Sequence, residues 1–218
     1  MIEPERAALL LIDMQHGFLD DDSGLCVAGA AATVPACSRA LERARQLGMV
    51  VFHVRRFYEA DGSDVEPTRY AAWAAGGRPL SVASDAPDSL EVPDELSFQP
   101  GEHIVVKPRF SAFFGTQLHE ELSELGVGSV VLAGTSTPNC IRATCYDALS
   151  LDYNVAVLTD ATSSRTPEVQ RANLEDLAGI GVQLLSVEDF CERGLADVRD
   201  VVAEAARAVE EERASGNP

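Results

Sequence analysis

Hydrophobic residues in this chain follow two patterns, short unbroken runs and longer stretches with a repeat of three to four positions. Ala7–Ile12 (AALLLI) and Val130–Ala133 (VVLA) contain no polar position. That predicts strands buried on both faces, as in a parallel sheet. Met49–Val54, Glu102–Val106, Asn154–Leu158 and Val182–Leu185 read as four more strands. Between the first two strands, Val34–Leu47 places Val34, Cys37, Leu41, Ala44 and Leu47 on one helical face and stops at Gly48. Thr116–Leu125 (Thr116 as N-cap), Glu168–Ile180 and Val187–Glu192 (after a Ser186 cap) are the other core helices. Asp197–Ala214 reads as an acidic amphipathic helix. Strands alternating with helices imply an α/β domain whose six-stranded parallel sheet is covered on both faces. In the doubly wound order 3-2-1-4-5-6, strands one and four meet at the switch point. The 218 residues suit one domain, 1–218, with no linker dividing it. Phe57–Pro100 departs from the pattern: it has five prolines, the Gly76-Gly77 pair, the only tryptophan (Trp73) and one short helical stretch, Tyr70–Ala75. It is expected to form a partial lid or a dimer contact.

Reactive residues stand at the strand ends. Asp13 follows the first strand directly, and Lys107 the third. After the fourth strand come Gly134, small hydroxyl residues, and Pro138, which can open a helix with Thr137 as its cap. Cys140 then lies in a first helical turn, where free N–H groups and the helix dipole favour an anion and can depress a thiol pKa. Meeting in one crevice, the three form a sensible set. Asp13 can take the thiol proton, Lys107 can hold the negative charges together, and N–H groups of the Thr135–Cys140 turn can form an oxyanion hole. Arg55 or Arg56 can bind an anionic or carbonyl group of a substrate. Gln15, Phe18, Arg55, Trp73, Phe113, Thr137 and Asn139 are the expected pocket residues. His53 is expected to be hydrogen-bonded in or beside its strand. No second histidine or close carboxylate cluster accompanies it, so no metal and no other cofactor is expected.

Charge and cysteine content narrow the partners. With 17 Lys and Arg against 35 Asp and Glu, the net charge is −18. Nucleic acid and anionic membrane surfaces are repelled on average, and a small-molecule substrate is the expected partner. The acidic clusters at 20–22, 85–95, 120–124 and in the C-terminal tail read as solvated faces and loops. Five cysteines with no C-x-x-C spacing argue against a disulfide framework or a zinc knuckle. No secretory leader or bilayer-length apolar run is visible, so a soluble, cytoplasmic protein is expected.

Three stretches, LLLIDMQHGF around Asp13, VVKPRFSAFFGTQL around Lys107 and GTSTPNCIRATCYDA around Cys140, resemble the isochorismatase-like cysteine hydrolases. The resemblance runs from Ala7 to Phe190. It implies a three-layer α/β/α domain, an Asp13–Lys107–Cys140 triad, a cis Thr135-Ser136 peptide, an oxyanion hole at Ser136 and Cys140, and a dimer or tetramer. Family members cleave small amides and ureides or, as isochorismatases, a vinyl ether without need of a cysteine. Retention of Cys140 favours hydrolysis of an amide, lactam or ureide through a thioester. The chain lacks the Asp-x-His…His metal ligands of nicotinamidases. The alternatives are ether hydrolysis with Asp13 as acid, and a non-catalytic small-molecule or partner-binding member.

Overall fold

A computed structural model describes residues 2–215. The strands are β1 (Ala7–Ile12), β2 (Val50–Arg56), β3 (His103–Lys107), β4 (Ser129–Thr135), β5 (Asn154–Ser163) and β6 (Gln183–Leu185). All pair in parallel, in the order β3-β2-β1-β4-β5-β6, as expected from the sequence. The helices are α1 (His16–Leu19), α2 (Val34–Leu47), α3 (Tyr70–Ala75), α4 (Leu118–Glu124), α5 (Arg142–Ser150), α6 (Pro167–Gly179), α7 (Val187–Arg193) and α8 (Val201–Ala214).

Side chains alternate across a strand, so each strand feeds two cores. Leu9, Leu11, Val51, Val131 and Ala133 pack with Cys37, Leu41 and Ala44 of α2 and Phe190 of α7. Leu10, Ile12, Phe52, Val54, Val105, Val130 and Leu132 pack on the other face with Leu118 and Leu122 of α4, Cys145 and Ala148 of α5, and Leu177 of α6. Every residue of β1 and β4 is buried, which is why neither has a polar phase. The edge strand β3 alternates instead: Val105 and Lys107 are buried while Ile104 and Val106 are exposed.

Some element boundaries differ from those expected. β5 runs on to Ser163, because a register shift between Leu132 and Gly134 of β4 lets the polar stretch after Leu158 rejoin the ladder. α4 starts at Leu118: Thr116 Oγ1 donates to Ala112 O at 2.6 Å and accepts from Leu118 N at 3.3 Å. α8 begins at Val201, where Asp200 accepts from Ala203 N at 3.0 Å, and buries no residue. The stretch 57–100 has a core of its own, formed by Tyr58, Val65, Trp73 and Leu80 with Phe18 of α1. No helix among the described residues is long and apolar enough to cross a membrane.

Gly134 of β4 passes close to the end of β1. Its φ is 113°, and a Cβ there would lie 2.0 Å from Ile12 O. Only glycine lets β4 pass the end of β1 at this point. Asp13 and the turn to Cys140 leave the sheet side by side as a result.

Candidate active site

Asp13 follows β1 with φ 54°, a left-handed conformation that aspartate tolerates better than most residues. Its N–H donates to Val54 O of β2 at 2.8 Å. Lys107 ends β3 in phase with Val105, on the α4–α6 face. Cys140 sits on that same face, in a π-helical turn (Thr137–Ile141) that runs into α5. The peptide bond Thr135-Ser136 is cis. Ser163, at the end of β5, holds this turn: its hydroxyl donates to Thr135 Oγ1 at 2.8 Å, and its carbonyl accepts from Thr137 Oγ1 at 3.0 Å. Thr137 is therefore tied to β5 and does not cap the helix. Thr144 Oγ1 donates to Cys140 O at 2.7 Å and accepts from Ala112 N at 3.0 Å, joining the turn to the loop after β3.

Asp13 and Lys107 are wholly buried, and Cys140 is 4% exposed. Lys107 Nζ donates to Asp13 Oδ2 at 2.7 Å, to Arg109 O at 3.1 Å and to Cys140 Sγ at 3.4 Å. An ammonium has three donors, so this lysine is fully satisfied. Asp13 Oδ1 is buried without a hydrogen-bond partner. Burial pushes the Cys140 thiol up, and the Asp13 charge raises it further, against the lowering pull of Lys107 and Arg56. This corrects the sequence expectation of a depressed thiol. The turn is enclosed and a carboxylate faces the sulfur, so burial and charge outweigh the helix terminus.

The expected pocket residues divide into those near the thiol and those elsewhere. Ser136, Thr137 and Asn139 are in its turn, with Asn139 Nδ2 donating to Ser136 Oγ at 3.2 Å. Asn139, Pro138, Phe110, Arg142 and Tyr146 line a shallow groove of about 360 Å³ over that turn. Gln15 is a structural clamp, exchanging hydrogen bonds with Arg56 N at 2.7 Å and Arg56 O at 2.9 Å. Phe18 and Trp73 are buried in the small core of the 57–100 stretch, where Trp73 Nε1 donates to Pro79 O at 2.8 Å. Phe113 stacks on Tyr153, ring centroids 5.9 Å apart. Arg55 donates to Leu90 O at 2.7 Å and lines a cleft with Gln15, Arg56, Leu90, Glu91 and Val106. His53 is paired with Glu102 at 2.8 Å.

Arg56, rather than Arg55, is the buried arginine of this region, with no exposed surface. Its Nη1 donates to Glu66 Oε1 at 2.7 Å, to Pro108 O at 3.1 Å and to Tyr58 Oη at 3.2 Å. Strand phase carried the signal for it. Arg56 falls in step with Phe52 and Val54, the apolar face, whereas Arg55 falls in step with His53. Two cations, Lys107 and Arg56, stand near the sulfur where a metal would need lone-pair donors, so these residues do not fit a metal at the thiol. His16, Asp20 and Asp88 form the one metal-competent grouping among the described residues. It lies in the loops by α1, and His16 Nδ1 is already 3.0 Å from Asp20 Oδ1.

The isochorismatase domain model matches residues 7–189. A protein of Arabidopsis thaliana named "probable inactive nicotinamidase" is 41% identical over 86% of this chain and 95% of its own length. A ureidoacrylate amidohydrolase of Pantoea ananatis is 30% identical over 87% and 82%. The crystal structure of an isochorismatase family protein from Desulfovibrio vulgaris superposes with a TM-score of 0.80 at 40% identity, covering 86% of this chain and 97% of that one. Strand order, motif positions and near full-length matches agree, and the chain belongs to the isochorismatase family.

Proposed function

We propose that the chain is a cysteine amidohydrolase that cleaves a small amide, lactam or ureide C–N bond through a thioester on Cys140. The contact of Lys107 Nζ with both Asp13 Oδ2 and Cys140 Sγ, at 2.7 Å and 3.4 Å, carries this reading. The unpartnered Asp13 Oδ1 gives the thiol proton a place to go. As the sulfur attacks the carbonyl carbon, that proton moves to Asp13, and the backbone N–H groups of Ser136 and Cys140 receive the developing oxyanion. An oxyanion-hole donor of this kind contributes about 3–4 kcal/mol in comparable sites. Asp13 then protonates the leaving nitrogen, the C–N bond breaks, and ammonia or an amine departs. Water attacks the thioester and gives its proton to Asp13, and the sulfur leaves and is reprotonated. Lys107, in contact with both groups, offsets the charge that builds on the sulfur. No step is assigned to a metal.

The ureidoacrylate amidohydrolase relative supports C–N hydrolysis. The "inactive" in the name of the Arabidopsis relative favours a second reading, a member that binds a small molecule without turning it over. A panel of amides, lactams and carbamoyl compounds, assayed for ammonia release and for an acyl-enzyme by mass spectrometry, separates the two. Acyl mass on Cys140, absent in Cys140→Ala, is expected. Full activity in Cys140→Ala would remove the mechanism. No turnover across the panel, with retained binding, would support the second reading.

A further inference from the structure

His16, Asp20 and Asp88 converge from two parts of the chain. His16 and Asp20 stand four residues apart along α1, the spacing that brings two helical side chains together. Asp88 arrives from the 57–100 stretch, and backbone hydrogen bonds keep it there. His16 N donates to Glu91 O at 2.8 Å, Gly17 N to Ser89 O at 2.9 Å, and Glu91 N to Asp88 O at 2.8 Å. The seam is tight: a Cβ on Gly17 would lie 2.6 Å from Leu80 Cδ2 and 2.9 Å from Ser89 Oγ. One ligand atom of each of the three residues lies within 4.8 Å of the other two. That spacing suits a small cation. Zinc bonds of about 2.0–2.1 Å in a tetrahedron set the ligand atoms roughly 3.3 Å apart. His16 Nδ1 and Asp20 Oδ1 are 3.0 Å apart. Asp88 is exposed, so its carboxylate can close the set without unpacking a core.

The surroundings supply negative charge without a cation to balance it. His16 and Asp20 line a cavity of about 400 Å³ together with Asp22 and Asp85, and no lysine or arginine lines it. Arg78, between two residues of the cavity wall, instead holds its guanidinium over the Trp73 ring, 6.0 Å from the centroid. Among the described residues Asp22, Asp85 and Asp88 form no ion pair. An imidazole nitrogen with carboxylate oxygens is a donor set for zinc, whereas magnesium and calcium favour oxygen alone. None of the three residues lines the groove over the Cys140 turn. A cation here would act as a clamp, tying the segment that follows Asp13 to the 57–100 stretch.

We propose that His16, Asp20 and Asp88 bind one divalent zinc-type cation, a structural site apart from the Asp13–Lys107–Cys140 set. It stands whether or not the chain is an amidohydrolase. The test titrates zinc chloride into the chelator-stripped full chain by calorimetry, in the Cys140→Ala background so that the reactive thiol takes no part. One zinc per chain is expected. Magnesium chloride is expected to bind at least about 100-fold more weakly, because it gives up water for imidazole reluctantly. His16→Gln and Asp88→Ala are each expected to weaken zinc by more than the roughly 10–100-fold that loss of even an outer-shell partner costs. Cobalt(II) in place of zinc is expected to show d–d absorption without a thiolate charge-transfer band. Absence of zinc uptake, uptake that survives both substitutions, or a thiolate band would each overturn the proposal. Magnesium bound as tightly as zinc would overturn the part given to His16. Asp88 is exposed, so Asp88→Ala keeps the test decisive even if His16→Gln does not fold.

Discussion

Two buried ion pairs stand side by side at the strand ends and are incomplete in opposite ways. In Lys107–Asp13 the cation has all its acceptors, and the carboxylate keeps one oxygen, Oδ1, without a donor. In Arg56–Glu66 both carboxylate oxygens are used, and the cation keeps two donors without an acceptor. Buried pairs are poor sources of net stability, because desolvation consumes most of the Coulombic gain. What each pair leaves over is therefore the informative part. A spare acceptor beside a thiol can take a proton, while a spare donor edge can hold a ligand. One face of one sheet so carries a pair suited to chemistry and a pair suited to recognition.

The largest break should come from removing the spare acceptor. Asp13→Asn keeps the shape of the side chain but cannot take the thiol proton. In an amidase assay kcat/KM is expected to fall by about 10⁴-fold, or roughly 5.5 kcal/mol, as when a general base is lost from a coupled set. Retained activity would take Asp13 out of the proton path. Next comes the cation that serves it. Lys107→Met strands a buried carboxylate, and urea unfolding should show a loss of about 3–5 kcal/mol. Adding Asp13→Leu should restore most of that stability without restoring activity. If the double variant were no more stable than Lys107→Met, the buried charge would not be the cause of the loss.

The contrast between the pairs also shows what could be read from the chain. The sheet order and the strand-end positions of Asp13, Lys107 and Cys140 were legible, because wholly apolar strands announce a doubly wound sheet and reactive residues just beyond them stand out. The neighbours of those residues were harder to read. Trp73 is expected on a pocket wall yet fills a small core, and Gln15 both lines a cleft and holds two strands together. Polar and aromatic side chains do both jobs, and only tertiary contacts separate them. Arg55 and Arg56 are adjacent, and one step along a strand moves a side chain to the opposite face. The extension of β5 was hidden because the ladder resumes after a shifted register, through Thr and Ser that read as a turn. The raised thiol was hidden for a similar reason, since a helix terminus is local and the burial of that terminus is not.

Glu66→Gln tests the second pair with a smaller effect. Burial alone would raise the Glu66 carboxyl, but Arg56 and Tyr58 outweigh it and hold it below its ordinary value. A folded-state pKa below the unfolded one stabilises the fold above the unfolded pKa, and that contribution is lost as pH falls through the folded value. The amide can still accept from Nη1, so the expected loss at neutral pH is about 1.5–3 kcal/mol, the usual scale for hydrogen bonds to charged groups. The variant should also lose part of the acid sensitivity of unfolding at low pH. An unchanged acid profile would show that Glu66 does not titrate with folding.

The smallest effect separates burial from charge among the thiols. Burial alone pushes Cys145 up to about 12 from 9.0, and burial is also the main cause at Cys37, likewise about 12. Cys140 is raised by burial and by Asp13, against Lys107 and Arg56. A thiol that stays protonated in the fold but ionises in the unfolded chain makes unfolding release a proton. Stability is then whole below the unfolded pKa and falls as pH rises above it, by about 1.4 kcal/mol per pH unit for each thiol. Between pH 9.5 and 11, plots of unfolding free energy against pH should be shallower by one such increment in Cys145→Ala. Comparing slopes cancels the packing lost with the side chain, which shifts the whole curve equally. Cys140→Ala should flatten the slope by a similar amount if its thiol is neutral at rest. A slope left unchanged in Cys140→Ala alone would mean that Lys107 and Arg56 win over burial and Asp13, so that the sulfur is already an anion before any substrate arrives.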